Sequence, residues 1–436
     1  MLVIDEAQDM SQDEYALVAA LMARNEEMRV IAVGDDDQNI FEFRGSDSKY
    51  MLQLARDSQA RVIEMTENYR STGHVVACAN AFVSSLGQRL KSTPITSMSQ
   101  QPGWVSVTHH RSADMYTPLV EQLLQQQSGG TTCVLTQTNE EAVIIAALLR
   151  RMGQNSQLVQ SLDGFRFANL AEVRYFVKQI DRHRTTPIIT EATWQQAKQM
   201  TLTRYATSQC IGYLNRCLDV FEQANRTKYY NDFREFIFES PIEDFCDLTA
   251  QDVVVSTIHK AKGKEFDNVY MLIADLYRTD AALMRRYYVG MTRAKKHLFI
   301  HTNTRYFDRL PADRHTIDQN QYPLPDEIVL QLTHRDVYLQ FFMQHKRDVL
   351  CLRSGDKLEL IDNTLYDTAR HPVAQLSSSM QQTLAQWQER GYRVQSASVR
   401  YIVAWKPKDV PKSVAETGVL LPDLVLVHHG VPSSER

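Results

Sequence analysis

The chain has 436 residues, of which 43% are hydrophobic and 23% charged, and its formal net charge at pH 7 is −4. This length allows two to four domains with sizeable cores, and the composition is ordinary for a globular protein. The near-neutral charge excludes a global electrostatic pull towards nucleic acid, so any such binding must come from local basic patches.

The cysteine pattern and the hydropathy of the sequence indicate the cellular compartment of the protein. The six cysteines form no C-x-x-C pair, which favours buried thiols in a reducing compartment over disulfides or zinc ligands. No stretch approaches the roughly 18 apolar residues that span a bilayer, and no secretory signal pattern opens the sequence. These features predict a soluble, cytoplasmic protein.

The first apolar run, residues 2–4, ends in Asp5 and Glu6. Such a run is typical of a strand in a parallel sheet, where ligands bind beyond the carboxyl ends of the strands. An Asp that holds magnesium beside a Glu that orients a water molecule is the pair that nucleoside triphosphate hydrolysis needs. The alternative is a buried strand followed by an acidic helix start.

Strands and helices alternate along the following residues. A helix runs to about Arg24, and an apolar strand at 28–33 ends in Gly34 and three aspartates. Short links between such elements predict parallel βαβ units. Further strands are predicted at 61–65, 104–108 and 133–136, and further helices at 75–85, 119–124 and 141–152.

The second half of the chain changes character twice. Residues from 171 to about 239 carry only helical patterns, which predict a helical insertion. Strands then return at 253–255, 269–273 and 297–300, with a helix over 285–293. After a linker punctuated by prolines, strand patterns at 348–352, 357–361 and 392–403 and a helix at 378–389 predict a small α+β appendage. It is either a structural cap or a docking module.

A polar loop follows the second strand, with the sequence G-D-D-D-Q-N-I-F-E-F-R-G over residues 34–45. Three consecutive acids are costly unless they are solvated or near a cation, and Gln38 is suited to sensing a terminal phosphate. Phe41, Phe43 and Arg44 combine two rings with a guanidinium, which suits stacking on single-stranded nucleic acid. The alternative is a hydrophilic turn with two core aromatics.

Three later stretches carry further candidate chemistry: N-Y-R-S at 68–71, a lysine-rich link at 256–266, and the helix end at 288–296. A strand that runs into small residues and lysines makes a cationic cradle for phosphates. Arg293 follows a buried helical stripe, and a positioned arginine stabilises charge on a transferring phosphoryl group. The alternative for the basic cluster around it is a solvated helix face.

Together and in this order, the five stretches resemble the motifs of superfamily 1 DNA helicases of the UvrD/Rep/PcrA type, from the second motif onward and over roughly residues 1–305. The resemblance implies an α/β fold with two RecA-like P-loop NTPase lobes, the first incomplete and the second complete. The implied organisation is a first lobe at 1–70, a second lobe at 71–170 and 249–310, a helical insertion at 171–248, a linker at 311–332 and the α+β appendage at 333–436.

The resemblance also implies roles for individual residues. Asp5 would bind Mg²⁺, and Glu6 would activate the attacking water. Gln38, Arg70 and Arg293 would contact the γ-phosphate of ATP. The nucleotide would further be bound by Tyr69, Gly263 and Glu265, with Tyr69 on the adenine and Glu265 on the ribose. Single-stranded DNA, next to a duplex junction, would be contacted by Phe41, Phe43, Arg44, Thr257 and His259.

The implied activity is ATP-dependent 3′-to-5′ translocation on DNA, as in a repair helicase. Yet residues 1–436 contain no G-x-x-x-x-G-K-[ST] phosphate loop, because Gly263 is the one glycine followed by lysine and Glu265 comes next. Three interpretations therefore stay open. The chain is part of a longer helicase and inactive alone, it is a non-catalytic relic that binds single-stranded DNA or protein, or it is a subunit completed by another chain.

Overall fold

The computed structural model describes the chain except residues 26, 43–44, 59, 86–90, 92, 113, 127, 160–165, 185, 246–251, 275–279, 407–415 and 429–436. The chain forms two compact units. Unit 1 comprises Met1–Gln160 and Thr249–Leu324, and unit 2 comprises Ser161–Leu248 and Pro325–Arg436.

The helices are, in chain order, α1 (Gln12–Arg24), α2 (Lys49–Asp57), α3 (Gly73–Val83), α4 (Tyr116–Gln125), α5 (Asn139–Arg151), α6 (Ala171–His183), α7 (Glu191–Arg204), α8 (Ile211–Ala224), α9 (Tyr230–Glu239), α10 (Ala281–Met291), α11 (Phe341–Gln344), α12 (Lys346–Cys351) and α13 (Ser378–Glu389). The strands are β1 (Leu2–Ile4), β2 (Val30–Ala32), β3 (Glu67–Asn68), β4 (Thr96–Ser97), β5 (Trp104–His110), β6 (Thr132–Thr136), β7 (Ser156–Val159), β8 (Ile188–Ile189), β9 (Lys228–Tyr229), β10 (Val253–Thr257), β11 (Phe266–Ile273), β12 (Ala294–Thr302), β13 (Arg314–Asp318), β14 (Glu327–Gln331), β15 (Lys357–Ile361), β16 (Thr364–Tyr366), β17 (Pro372–Gln375), β18 (Tyr392–Trp405) and β19 (Thr417–His428).

Unit 1 opens with β1 and β2, which pair in parallel so that Val3 lies beside Ile31. Leu2 and Ile4 face the other way and pack against a small cluster from α1 and α2. The face that carries Val3 and Ile31 stays open: Met1 is 85% exposed, and Val3, Ile31 and Val33 are each about half exposed. In the described part of the chain, neither strand has a second neighbour.

Residues 61–65, predicted as a strand, belong to no strand or sheet, so that prediction was wrong. Their apolar side chains are open to solvent, with Val62, Ile63 and Met65 at least 70% exposed. A strand is defined by its hydrogen-bonded neighbour, and in the described residues none lies beside this segment. Only the short β3 that follows pairs, in parallel, with β4.

The larger part of unit 1 is a seven-stranded sheet in the order β13-β5-β12-β11-β6-β10-β7, and all of its pairs are parallel. The three successive residues Cys133, Val134 and Leu135 are all fully buried, so both faces of the sheet are covered. Contacts from α3, α10, α4 and α5 provide that cover. The predicted α/β class with parallel strands is confirmed.

Unit 2 combines helices α6–α9 with a six-stranded antiparallel sheet in the order β14-β19-β18-β15-β16-β17. Leu170 bridges Val403, and the Asn169 amide donates to the carbonyl of Ala404 at 3.3 Å, so the start of the helical stretch contacts the long β18 strand. The segment predicted as a linker, 311–332, contains β13 of unit 1 and β14 of unit 2.

The strand prediction for residues 348–352 was also wrong, because helix α12 covers most of them. A short apolar run has no period that separates a strand from a helix. Among the described residues, no helix combines the length and apolar character needed to cross a bilayer.

Three polar residues form a hydrogen-bonded cluster at the ends of β13, β5 and β12, which are neighbours in the seven-stranded sheet. His110 Nδ1 lies 2.9 Å from Asp318 Oδ2, and His110 Nε2 lies 2.9 Å from His301 Nδ1. Because a carboxylate only accepts, His110 donates to Asp318 and accepts from His301. The remaining His301 nitrogen is then a buried acceptor to which no group in the described part of the chain donates. Burial lowers the pKa of both imidazoles, that of His301 well below 6.5.

This cluster predicts acid sensitivity. The unfolded imidazoles bind protons near pH 6.5 while the folded ones do not, so stability is complete above that pH and falls as the pH decreases below it. We expect His301→Asn, which can still donate to His110, to reduce the loss of thermal stability between pH 7.5 and 5.5. The exposed His183→Asn is the control. An equal loss in all three proteins would contradict the assignment.

Candidate functional site

The tip of β1 carries a strained turn. Glu6 has φ +50° and ψ +40°, a left-handed conformation that is costly for a residue other than glycine, asparagine or aspartate. Its amide N–H donates to Asp5 Oδ1 at 2.9 Å. Both carboxylates are exposed, as groups that meet a cation and a water molecule must be.

Gln8 connects this turn to the next strand tip and was not predicted as a site residue. Its side chain is fully buried; Nε2 donates to Glu6 Oε2 at 2.5 Å, and Oε1 accepts from the amide of Asp35 at 2.9 Å. A Cβ at Gly34 would lie 2.6 Å from that Gln8 oxygen, so the close approach requires glycine. The sequence signal that could have identified Gln8 is an amide side chain between two acids, Glu6 and Asp9, at the end of a strand.

The second strand tip is a carboxylate cluster. One oxygen from each of Asp35, Asp36 and Asp37 lies within 4.8 Å of the others. The ammonium of Lys91, which no motif contains and which was not predicted, lies 2.5 Å from Asp35 Oδ1 and 3.3 Å from Asp37 Oδ2. The cation that the sequence requires near these acids is therefore supplied by the chain itself.

Arg293, predicted as a positioned finger, begins the turn after α10 and is 3% exposed. Its guanidinium donates to four uncharged acceptors: the carbonyls of Val289 (3.0 Å) and Lys264 (3.4 Å), Thr292 Oγ1 (3.1 Å) and Gln38 Oε1 (2.9 Å). Burial, with a further contribution from the charge of Arg70, lowers the pKa of Arg293 to about 10. A buried cation whose acceptors are all neutral fits an anionic ligand.

Lys262 is a second cation that sequence reasoning did not single out. It is nearly buried and pairs with Asp9, donates to the carbonyl of Gln38 at 3.1 Å and lies 3.7 Å from Glu6 Oε2. Its ammonium also lies 4.9 Å from the centre of the Phe41 ring. Burial raises the pKa of Asp9, an effect that Lys262 opposes.

The residues predicted to bind the nucleotide form a second group in unit 1. Arg70 Nε lies 2.5 Å from Glu265 Oε1, and Lys295 lies 3.5 Å from the other oxygen. Gly263 has φ +82°, a conformation that glycine adopts freely. The Tyr69 ring is 74% exposed, and its hydroxyl donates to Glu67, so one ring face can accept a planar ligand.

The predicted DNA-facing residues are partly described. Phe41 lies 6.5 Å from the His259 ring, centre to centre, which joins two of them. The Thr257 side chain is buried at the end of β10. Phe43 and Arg44 lie outside the described residues.

The structure thus brings Gln38 to Arg293, Arg70 to Glu265, and Phe41 to His259, although these residues are far apart in sequence. The donor set fits Mg²⁺ and a nucleoside triphosphate. The exposed carboxylates at the tip of β1 are oxygen donors of the kind that magnesium prefers, and the guanidinium of Arg293 donates to uncharged acceptors within the described residues.

Two family models match this chain. Residues 1–59 match the UvrD/REP helicase N-terminal domain, and residues 252–301 match the UvrD-like helicase C-terminal domain. The first segment contains Asp5, Glu6 and Gln38. The second contains Gly263, Glu265 and Arg293. The two matched segments are similar to domains of UvrD/Rep-type helicases, which confirms the resemblance.

Curated relatives match over similar short stretches. The chain is 36% identical over 85 residues to the ATP-dependent DNA helicase Rep of Escherichia coli, covering 19% of this chain and 12% of that one. It is 34% identical over 85 residues to Rep of Buchnera aphidicola subsp. Acyrthosiphon pisum (19% and 13%) and 37% identical over 93 residues to the putative ATP-dependent DNA helicase YjcD of Bacillus subtilis (21% and 12%). The chain covers 12–13% of the length of these relatives.

A crystal structure titled as the C-terminal domain of a possible DNA helicase from a Lactobacillus is similar over 58% of this chain and 99% of that one. The sequence identity between the two is 14%, and the TM-score is 0.28.

The pair of Lys262 and Asp9 yields a stability prediction. Lys262→Met leaves the Asp9 carboxylate without its cation, which should destabilise unit 1 at pH 7 by about 1–2 kcal/mol in urea unfolding. The double variant Lys262→Met/Asp9→Asn should regain part of this loss. Lys260→Met, on the same turn, is the control and should change stability by less than about 0.5 kcal/mol. Equal effects of the two single variants would contradict the pairing.

Proposed function

We propose that this chain acts in an ATP-dependent DNA helicase of the UvrD/Rep type, which couples ATP hydrolysis to 3′-to-5′ movement on single-stranded DNA. The observation that carries the proposal is the buried Arg293, whose hydrogen bonds within the described residues go to Gln38 of the acidic loop and to other uncharged acceptors. The direction of movement is carried over from the resemblance.

The roles of the site residues follow from their chemistry. Asp5 would hold Mg²⁺, and Glu6, the base next to it, would take a proton from the attacking water. Gln38, Arg70 and Arg293 would donate to the γ-phosphate. Bound Mg²⁺ would supply neutralisation of the charge that develops during phosphoryl transfer. The left-handed turn at Glu6 holds its carboxylate at the strand tip, bonded to Gln8.

The base and sugar of ATP would be held by a neighbouring group. Tyr69 would stack on adenine with its exposed ring, and Glu265 would accept from the ribose hydroxyls beside Gly263. Glu265 now accepts from Arg70, so nucleotide binding would exchange this ion pair for contacts of both residues with the ligand.

Single-stranded DNA would lie along Phe41, Phe43, Arg44, Thr257 and His259. Stacking of bases on aromatic rings is tolerant of sequence and suits a translocating enzyme. Lys262 contacts the Phe41 ring on one side and Asp9 and the Gln38 carbonyl on the other. Lys262 therefore physically connects the residues proposed to bind DNA with those proposed to bind the nucleotide.

A phosphate loop is the part of the site that residues 1–436 do not contain. We propose that polypeptide outside these residues, on the same or another chain, supplies it together with strands that pair with β1, β2 or residues 61–65. The open apolar face of Met1, Val3, Ile31 and Val33 supports this, because parallel sheets are normally buried on both faces. Added parallel strands would end at the same edge as Asp5 and Asp35.

These considerations predict no DNA-stimulated ATP hydrolysis by purified residues 1–436. Without a phosphate loop, the β- and γ-phosphates lack their main donors. A polypeptide extended upstream to include an in-frame G-x-x-x-x-G-K-[ST] should hydrolyse ATP, and Glu6→Gln should abolish that turnover. Steady turnover by residues 1–436 that is sensitive to Glu6→Gln would overturn the prediction.

Binding of single-stranded DNA should survive without nucleotide. We expect the affinity of residues 1–436 for a fluorescent oligothymidine to fall steeply with salt, since phosphate contacts release counterions. Phe41→Ala and Phe43→Ala should each weaken it about tenfold, from the loss of one stacked base. Phe238→Ala, an exposed phenylalanine of unit 2, is the control. Unchanged affinity in both test variants would remove the stacking role.

A further inference from the structure

Lys91 stands apart from every motif, yet it is the cation of the acidic loop. It comes from the connection between α3 and β4, and only 17% of its side chain is exposed. Its ammonium contacts Asp35 at 2.5 Å and Asp37 at 3.3 Å. An ordinary surface lysine would be solvated, whereas this one is drawn into the carboxylates that follow β2.

Asp35 is the junction through which Lys91 reaches the rest of the site. Its Oδ1 binds Lys91 and also accepts from the amide of Asp37 at 3.1 Å, while Oδ2 accepts from Gln38 Nε2 at 2.9 Å. One carboxylate therefore receives a charged donor on one oxygen and the Gln38 amide on the other.

The orientation of the Gln38 amide depends on that carboxylate. Its nitrogen end donates to Asp35, which leaves the oxygen end to accept from Arg293 at 2.9 Å. A turned amide would place its NH₂ group against the guanidinium, two donors facing each other, and its oxygen against a carboxylate. The position of the Asp35 carboxylate thus determines which end of Gln38 faces Arg293.

Lys91 holds the Asp35 carboxylate in place. Asp36 and Asp37 are 7% and 2% exposed, and three carboxylates so close together repel one another. Without the Lys91 ammonium, this repulsion would push the Asp35 carboxylate away from its neighbours. A displaced Asp35 would release Gln38 Nε2, and the amide would no longer be held with its oxygen towards Arg293.

We propose that Lys91 is a positioning residue for the γ-phosphate contacts: it fixes Asp35, which orients Gln38, which holds Arg293. This role rests on the proposed ATP site and deepens it by naming a residue outside the motifs. Phosphate oxygens only accept, so Gln38 would meet them through the Nε2 that Asp35 now binds. Lys91 shares that carboxylate with Gln38 and thereby sets how firmly the amide is held.

Side-chain NMR of the full chain tests the proposal. With glutamine labelled with ¹⁵N, the Gln38 NH₂ signals are identified by their loss in Gln38→Ala. In Lys91→Met these signals should shift, and their protection from hydrogen exchange should fall at least about tenfold, since the amide loses its fixed acceptor. Lys91→Arg, which restores the charge, should retain the native signals and protection.

The control is Lys49→Met, which removes an exposed lysine that pairs with Asp47 in the same unit. It should leave the Gln38 signals unchanged. If Lys91→Met fails to fold by circular dichroism, Lys91→Gln takes its place with the same expectation. Native Gln38 signals in the Met or Gln variant would overturn the proposal, and so would a Lys91→Arg variant that folds but behaves like Lys91→Met.

The measurement needs no nucleotide, which separates it from the proposed function. If the upstream-extended protein does not hydrolyse ATP, the ATP assignment fails while the NMR result still decides the link from Lys91 to Arg293. If turnover occurs but the Gln38 signals are unchanged in Lys91→Met, the proposed function is retained and the positioning role of Lys91 is rejected.

Discussion

The hydrogen bond between the Gln38 amide and the Arg293 guanidinium is the interaction on which the candidate site depends. It joins residues 255 positions apart and places a neutral group between two charged regions. On one side are the acids at the tips of β1 and β2, and on the other the arginines. If a carboxylate stood at Gln38, it would form a buried ion pair with Arg293 and consume the charge that a phosphate needs. The amide holds the guanidinium through a neutral acceptor and forms no ion pair with it.

The seven-stranded sheet and the β1–β2 pair, both parallel and both in unit 1, show that the burial of a strand depends on its neighbours. The seven-stranded sheet has helices that contact its strands, and its central residues are fully buried. The β1–β2 pair has similar apolar residues, yet Val3 and Ile31 remain about half exposed because one face has no covering element among the described residues. The apolar side chains of residues 61–65 are exposed for the same reason, because no described strand lies beside this segment. Strand-like sequence is necessary for a strand, but the partner that completes it must also be present.

Much of the fold could be predicted from hydrophobic periodicity. The residues of β15 and α13 were predicted to the residue, and β18 differs by two positions at its end. The structure places Gln38 beside Arg293 and Arg70 beside Glu265; the roles that motif order implies for these residues remain predictions. Periodicity misassigned residues 348–352, where a short apolar run fits either state, and it passed over β13, whose exposed edge position needs no apolar pattern. Gln8, Lys91 and Lys262 were missed because their importance lies in partners that sequence spacing does not reveal.

The alternation of the two units along the chain has a consequence for biosynthesis. The central sheet of unit 1 takes strands from both sides of residues 161–248, and its edge strand β13 ends only at Asp318. After residue 160 leaves the ribosome, about 160 further residues must follow before that sheet can close, roughly 8–30 s at ordinary rates of synthesis. During this interval β5, β6 and β7 lack the neighbouring strands β10 to β13, which have not yet been synthesised. Slow translation through the helical insertion would lengthen the time for which these strands are open to aggregation.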